Sequence, residues 1–184
     1  PEQTVLRLED LSERRRLGCK GPGAEAWLTG AGSRLPAQAN SAMVDANGVL
    51  VVRLGAAEFL IEAVDGGFQQ VEATLRQSGS SRPHDVYPVA RQDLVVGLRG
   101  TGIQTLLRQI CSVDFVPLFE SCGPHAGPVV LTSMLGVGVV AWPRRTEGGS
   151  ILTLWLDPSF AHYFWTTLLE VGRGVGAMVI GSNT

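Results

Sequence analysis

The sequence predicts an α+β fold made of two similar halves, each with the element order β-α-β-β-β-α. The first observation is that "KGPGAEAWL" at 20–28 and "RGTGIQTLL" at 99–107 share a basic residue, a Gly-x-Gly step and a helical run. The second is that short apolar, strand-like runs follow in both halves. The third is an amphipathic segment that closes each half. Elements in this order pack helices on one face of a mixed sheet.

The halves define the expected domain organisation. We expect one domain over residues 1–184, with pseudo-repeats at about 11–78 and 88–172 joined by a linker at 78–88. The second half is longer, and "ESCGPHAGP" and "PRRTEGG" are the expected loop insertions.

A short helix is predicted after each Gly-x-Gly step. In the first half the helix has three apolar positions, Ala24, Trp27 and Leu28. Pro22 stands near its first turn, where proline is tolerated. In the second half the apolar residues form one stripe at helical spacing: Ile103, Leu106, Leu107, Ile110 and Cys111.

The β-rich block of the first half contains "SAMV" and "VLVVRL", joined by Asn47-Gly48, a dipeptide typical of a type I′ hairpin turn. Leu54-Gly55 corresponds to Leu135-Gly136 in the second half. The closing helices also correspond, with Asp65 matched to Asp157, an expected N-cap that Pro158 follows at the first helical position. The predicted buried stripe of the last helix is Phe160, Phe164, Leu168 and Val171.

Composition excludes several classes of protein. Of 184 residues, 45% are hydrophobic and 17% charged, which favours a globular chain with a sizeable core. A net charge of −2 gives no basic surplus for nucleic acid. No apolar run approaches the roughly 18 residues of a membrane span. Three scattered cysteines favour a reducing compartment, so we expect a cytoplasmic protein that binds neither nucleic acid nor membrane.

The Gly-x-Gly steps match neither common nucleotide motif. A phosphate loop has Lys and Ser/Thr after its second glycine, whereas Ala24-Glu25 and Ile103-Gln104 stand here. A dinucleotide fingerprint has a third glycine, whereas Ala26 occupies that place in the first stretch. We therefore expect both steps to be turns from strand into helix.

No catalytic constellation is evident. Cys122 and His125 have the spacing of half a metal site, but no second pair of soft ligands completes it. Cys111 with His84 as base is a candidate nucleophile, yet a buried inert thiol on the helix stripe is the expected outcome. We expect no catalytic, cofactor-binding or metal-binding residues in this chain.

Two polar features have structural interpretations. Asp114 is expected to cap or order a turn after the second helix. Arg14-Arg15-Arg16 is expected to be a solvated charge run or half of a contact with an acidic partner.

Several stretches, taken in order, resemble the gamma subunit of heterotetrameric sarcosine oxidase. "HDVYPVARQDLVVGLRGTGIQTLLRQICSVDF" has His84 before a strand and a helix, then Cys111 and Asp114. The family's closing pattern, Pro-x-Ser-aromatic-Ala before an aromatic helix, corresponds in "LTLWLDPSFAHYFWTTLLE" to Pro158, Ser159, Phe160 and Ala161, and then Trp165. The order of these motifs, over most of 15–172, carries the resemblance. It implies the fold of the folate-binding domain of aminomethyltransferases.

The resemblance also implies a function and partners. Such a complex demethylates sarcosine and passes the one-carbon unit to tetrahydrofolate. Its alpha subunit carries NAD and a folate-binding domain, its beta subunit FAD, and its delta subunit zinc, with FMN between alpha and beta. The gamma-like chain carries no cofactor and docks on alpha.

Two hypotheses remain open from the sequence. The first is a non-catalytic subunit of a sarcosine oxidase-like N-methyl amino acid oxidase or dehydrogenase. The second is a stand-alone folate-binding one-carbon protein, although the Lys-Gly-Cys-aromatic-x-Gly-Gln signature of a folate-using relative is missing. Under the first hypothesis, four residues in or next to the linker are the expected partner contact, because Tyr and Arg favour interfaces: Arg82, His84, Tyr87 and Arg91. An ordinary solvated connector is the alternative interpretation of this segment.

Overall fold

The computed structural model describes residues 6–46, 48–64, 68–69, 72–73 and 84–180. The chain forms two compact units. The N-terminal unit is Arg14–Arg91, and the C-terminal unit combines Pro1–Glu13 with Gln92–Thr184. The duplication and the single-domain organisation stay predictions.

The N-terminal unit is an antiparallel sheet with a short helix against it. After β1 (Leu6–Asp10), which belongs to the other unit, the elements are β2 (Arg16–Lys20), α1 (Ala24–Gly30), β3 (Ser41–Val44), β4 (Val49–Gly55), β5 (Glu58–Ala63) and β6 (Tyr87–Val89). Within the unit the strands lie in the order β6-β2-β5-β4-β3. One face of alternating strand residues packs on α1. This core contains Cys19, Ala24, Leu28, Val49, Val51, Phe59, Ile61, Phe68 and Val86.

The predicted hairpin between β3 and β4 is confirmed. Val44 pairs with Leu50, the N–H of Asp45 donates to Val49 O at 2.9 Å, and Gly48 has a φ of +73°. Asn47, Asp65 and most of the predicted closing helix of the first half lie outside the described residues.

The C-terminal unit contains a longer set of elements. They are β7 (Leu94–Arg99), α2 (Ile103–Ile110), α3 (Val116–Ser121), β8 (Ala126–Pro128), β9 (Val130–Met134), β10 (Val137–Thr146), β11 (Gly149–Leu156), a 3-10 turn (Pro158–Phe160), α4 (Ala161–Arg173) and β12 (Ala177–Ile180). Helix α3 was not predicted. Asp114 does order its start, because Asp114 Oδ1 accepts the N–H of Val116 at 3.0 Å.

The sheet of the C-terminal unit has the strand order β12-β1-β7-β11-β10-β9. It is mixed, since β1 pairs in parallel with β12 and antiparallel with β7. Helices α2 and α4 cover one face. The largest buried side chains of that core include Leu6, Leu8, Leu98, Phe119 and Phe164. No helix in the described part of the chain is long and apolar enough to cross a membrane.

Local expectations in the last helix were partly wrong. Asp157 caps the segment as expected: Asp157 Oδ1 accepts the N–H of Ser159 at 2.8 Å. Hydrogen bonding from Ser159 lowers the pKa of this carboxyl. Phe164 and Leu168 are buried, but Phe160 is 46% exposed and Val171 is half-buried. The reason is that a 3-10 turn precedes the α-helix and changes the angular position of Phe160.

Other departures concern element ends. Helix α2 ends at Ile110. Cys111 follows it in extended conformation and forms an isolated antiparallel β-bridge with Met134. The predicted loop "PRRTEGG" is mostly strand, because β10 and β11 pair as far as Thr146 and Gly149. Leu54-Gly55 ends β4, whereas Leu135 and Gly136 form a turn with φ of 52° and 78°.

Candidate functional site

The first Gly-x-Gly step is covered by Asp85. Gly21 has a φ of +119°, which glycine adopts most readily. A Cβ atom at Gly21 would lie 2.1 Å from Asp85 O, and one at Gly23 would lie 2.4 Å from Asp85 Oδ1. The Asp85 carboxylate therefore occupies the space where a phosphate would approach this turn, and its charge would repel one.

The second Gly-x-Gly step has similar local geometry. Gly100 has a φ of +111°, its N–H donates to Ser150 O at 3.2 Å, and its carbonyl accepts the N–H of Ile103 at 3.4 Å. Gly102 precedes α2 as its N-cap. Both steps thus turn a strand into a helix, which supports the structural interpretation from the sequence.

The predicted interface residues have different environments. Arg82 lies outside the described residues. His84 is exposed, and Tyr87 is 54% exposed on β6, at one edge of the sheet. Arg91 is mostly covered, and its Nη2 donates to Glu58 Oε1 at 3.0 Å. Of the three described residues, His84 and Tyr87 are therefore the accessible ones on this edge segment.

The triple-arginine run is solvated only in part, since the Arg15 side chain is 56% exposed and the other two are mostly covered. Arg14 Nη1 and Arg16 Nε each lie 3.3 Å from a carboxylate oxygen of Glu62. The Arg16 side chain is 3% exposed and Glu62 is fully buried. Arg15 pairs with Glu72 and lies over the Phe68 ring. Arg16 is the cross-strand partner of Glu62 in the pairing of β2 with β5, so the two side chains stand on the same face of the sheet.

All three cysteines lie in the described part of the chain, where Cys19 and Cys122 are buried and Cys111 is half-buried. Burial raises the pKa of the Cys19 thiol to about 11. Burial also raises the pKa of Cys122, against a smaller lowering by a hydrogen bond from Ser121. His125 is exposed while Cys122 is buried. Among the described residues, no group of three His, Cys, Asp or Glu side chains could hold a metal ion.

A cleft that sequence reasoning missed lies between α2 and the segment leading into α3. Its volume is about 400 Å³, and it is lined by Gln104, Leu107, Arg108, Cys111, Ser112, Val113, Asp114, Phe115 and Val116. The helix spacing of Gln104, Leu107 and Arg108 was a usable signal, since it places them along one side of α2, and Cys111 follows directly after the helix end. The fold-back at Ser112 that closes the cleft has no such local signal.

Each of the two units is a sheet with at least one helix against it, and the chain has an α+β fold similar to that of two solved structures. The chain is similar to a chain of heterotetrameric sarcosine oxidase from Corynebacterium sp. U-96, with 24% identity and a TM-score of 0.72 over 95% of this chain and 87% of that chain. It is also similar to the glycine cleavage system aminomethyltransferase T from Bartonella henselae, with 15% identity and a TM-score of 0.67 over 97% of this chain. The fold predicted from the sequence resemblance is confirmed.

The extent of the two matches differs. The match covers 48% of the aminomethyltransferase, so this chain spans about half of its length. No protein-family model matches the sequence, and no curated protein matches it.

Proposed function

We propose that the chain is a non-catalytic, cofactor-free accessory subunit of a sarcosine oxidase-like complex. That complex demethylates an N-methyl amino acid and transfers the one-carbon unit to tetrahydrofolate. The observation that carries the proposal is the match to a chain of heterotetrameric sarcosine oxidase over 95% of this chain and 87% of the other. Because both percentages are high, the two chains have similar lengths, and the likeness extends over a whole subunit rather than one domain of a larger one.

The Gly-x-Gly turns support the cofactor-free part of the proposal. Asp85 places a carboxylate over Gly23, and a negative charge there disfavours the phosphates of NAD, FAD or FMN. Those cofactors, zinc and tetrahydrofolate belong, in this proposal, to alpha, beta and delta-like partner subunits.

The edge segment of His84 and Tyr87 supports a direct contact, which we assign to the alpha-like subunit in the cytoplasm. Tyr87 is 54% exposed on an edge strand. Tyrosine is enriched at the centres of interfaces, where truncation of such an anchor removes much of the binding energy. In the sequence Arg82 and Arg91 lie on either side of this segment, and Arg91 contributes through its hydrogen bond to Glu58.

Co-expression with the genomic neighbours tests the proposal. The chain alone should be colourless and unable to oxidise N-methyl amino acids, and it should co-purify with a flavin-containing assembly. Tyr87→Ala should weaken that association at least about tenfold, whereas Tyr163→Ala, a matched change at another half-exposed tyrosine, should leave it unchanged. A yellow isolated chain, or one that turns over an N-methyl amine unaided, would refute the accessory role.

A stand-alone folate-binding protein is the second candidate. It is favoured by the similarity to an aminomethyltransferase over 97% of this chain. Titrating the isolated chain with tetrahydrofolate separates the two, because a ligand that binds only the folded state raises the melting temperature. A clear rise without any partner would favour this candidate, and an unchanged melting temperature would favour the accessory subunit.

A further inference from the structure

The cleft beside α2 has an apolar floor and a polar rim. Leu107 and Phe115 are each 2% exposed and form its floor. Arg108 and Asp114 are exposed at its margin. A volume of about 400 Å³ falls within the usual range for small-ligand sites, which combine apolar walls with a few polar groups.

The two rim charges, Arg108 and Asp114, have no ionic partner among the residues that the structure describes. Asp114 Oδ1 is held by the N–H of Val116 at 3.0 Å, which fixes the direction of the carboxylate. The cleft thus presents one cation and one oriented anion above an apolar floor.

A ligand complementary to this arrangement has a carboxylate, an ammonium group and an apolar body. A simple carboxylate would satisfy Arg108 and be repelled by Asp114, and a simple amine would do the reverse. We propose that this cleft binds a free amino acid with an apolar side chain, with its carboxylate on Arg108 and its ammonium group on Asp114. Neither His84 nor Tyr87 is among the residues that line the cleft, and this inference does not depend on the proposed function.

Cys111 provides a direct reporter of occupancy. It lines the cleft and is half-buried. Cys19 and Cys122 are buried, and burial raises the pKa of both thiols. An alkylating reagent near neutral pH should therefore modify Cys111 first, because the thiolate is the reactive form. Cys111→Ser should remove the fast phase of the reaction and confirm this assignment.

The test measures how fast iodoacetamide modifies Cys111 of the full chain in the presence of three matched compounds. L-leucine should slow the reaction in a saturable manner. Its two half-charged analogues, 4-methylpentanoate and 3-methylbutylamine, should protect at least about tenfold more weakly, because each leaves one rim charge opposed or unpaired. L-methionine and L-phenylalanine extend the panel of apolar amino acids.

Two charge-removing variants complete the test. Arg108→Gln and Asp114→Asn should each weaken protection by L-leucine about tenfold or more. Asp114→Asn keeps an oxygen that can accept the Val116 N–H, so α3 should still form. Arg145→Gln, at an exposed arginine outside the cleft lining, is the control and should change nothing.

Three outcomes would overturn the proposal. They are no protection by any of the three amino acids at millimolar concentrations, equal protection by the half-charged analogues, and unchanged protection in both rim variants. Nuclear magnetic resonance of the same samples checks that each variant is folded. Loss of flavin-complex assembly would have no effect on these measurements, so the two proposals can fail separately.

Discussion

The carbonyl oxygen of Asp85 lies so close to Gly21 that a Cβ atom there would approach it to 2.1 Å. The contact joins the segment before β6 to the turn before α1. It explains why the first Gly-x-Gly step needs glycine for a purely structural reason, since both the space and the φ of +119° exclude a side chain.

Gly21→Ala should therefore lower the free energy of unfolding by about 3 kcal/mol, through backbone strain and overpacking. Gly23→Ala should cost less, because the atom it meets is the end of the exposed Asp85 side chain. Gly30→Ala is the control: it has open space and should be neutral or stabilising by about 0.5 kcal/mol. Urea titrations in which Gly21→Ala and Gly30→Ala lowered the free energy of unfolding equally would contradict this ranking.

Gly100→Lys tests whether the second turn is structural. The φ of +111° should make this change destabilising by about 1–3 kcal/mol. Gly138→Lys, at an exposed strand position with open space, should have a much smaller effect. If this turn instead held a phosphate, Gly100→Lys would abolish nucleotide binding by a still-folded chain, which calorimetry with ATP and NAD would detect.

Glu62→Gln should be strongly destabilising. It removes the charge that faces Arg14 and the almost fully buried Arg16, and breaking a buried pair from one side costs about 3–5 kcal/mol. Glu58→Gln makes the same chemical change at a 43% exposed carboxylate paired with Arg91, so it should cost about 1 kcal/mol or less. Denaturant unfolding measures the free energy of unfolding of both variants. Similar decreases in the two variants would contradict a buried ion pair at Glu62.

Cys19 should make the protein less stable in alkali. Its pKa in the folded chain is about 11, against 9.0 for an unperturbed thiol, because burial disfavours the thiolate. The thiol of the unfolded chain therefore loses its proton at a lower pH than the thiol of the folded chain. The contribution of the Cys19 thiol to the free energy of unfolding is complete below pH 9 and is lost as the pH rises towards 11. Cys19→Ala should flatten the fall in unfolding free energy over that interval. An identical pH dependence in both proteins would show that Cys19 does not contribute.

Local spacing in the sequence was sufficient for much of the fold. The glycines at 21 and 100, the β3–β4 hairpin and the Asp157 cap were predicted because each depends on the preferences of a few adjacent residues. The same holds for the amphipathic stripe of α2, four residues of which are buried. Local reasoning failed where an element ended, so Cys111 was placed on a helix that stops at Ile110.

The sequence by itself determined the fold class and the two strand-to-helix turns. Only the tertiary structure decided that β1 joins the C-terminal unit, that Glu62 neutralises Arg14 and Arg16, and that Arg108 and Asp114 border one cleft. The physical reason is that strand pairing and burial join residues far apart in the chain. The conformational entropy lost on closing those loops is offset only by packing of the whole unit, which no local pattern encodes.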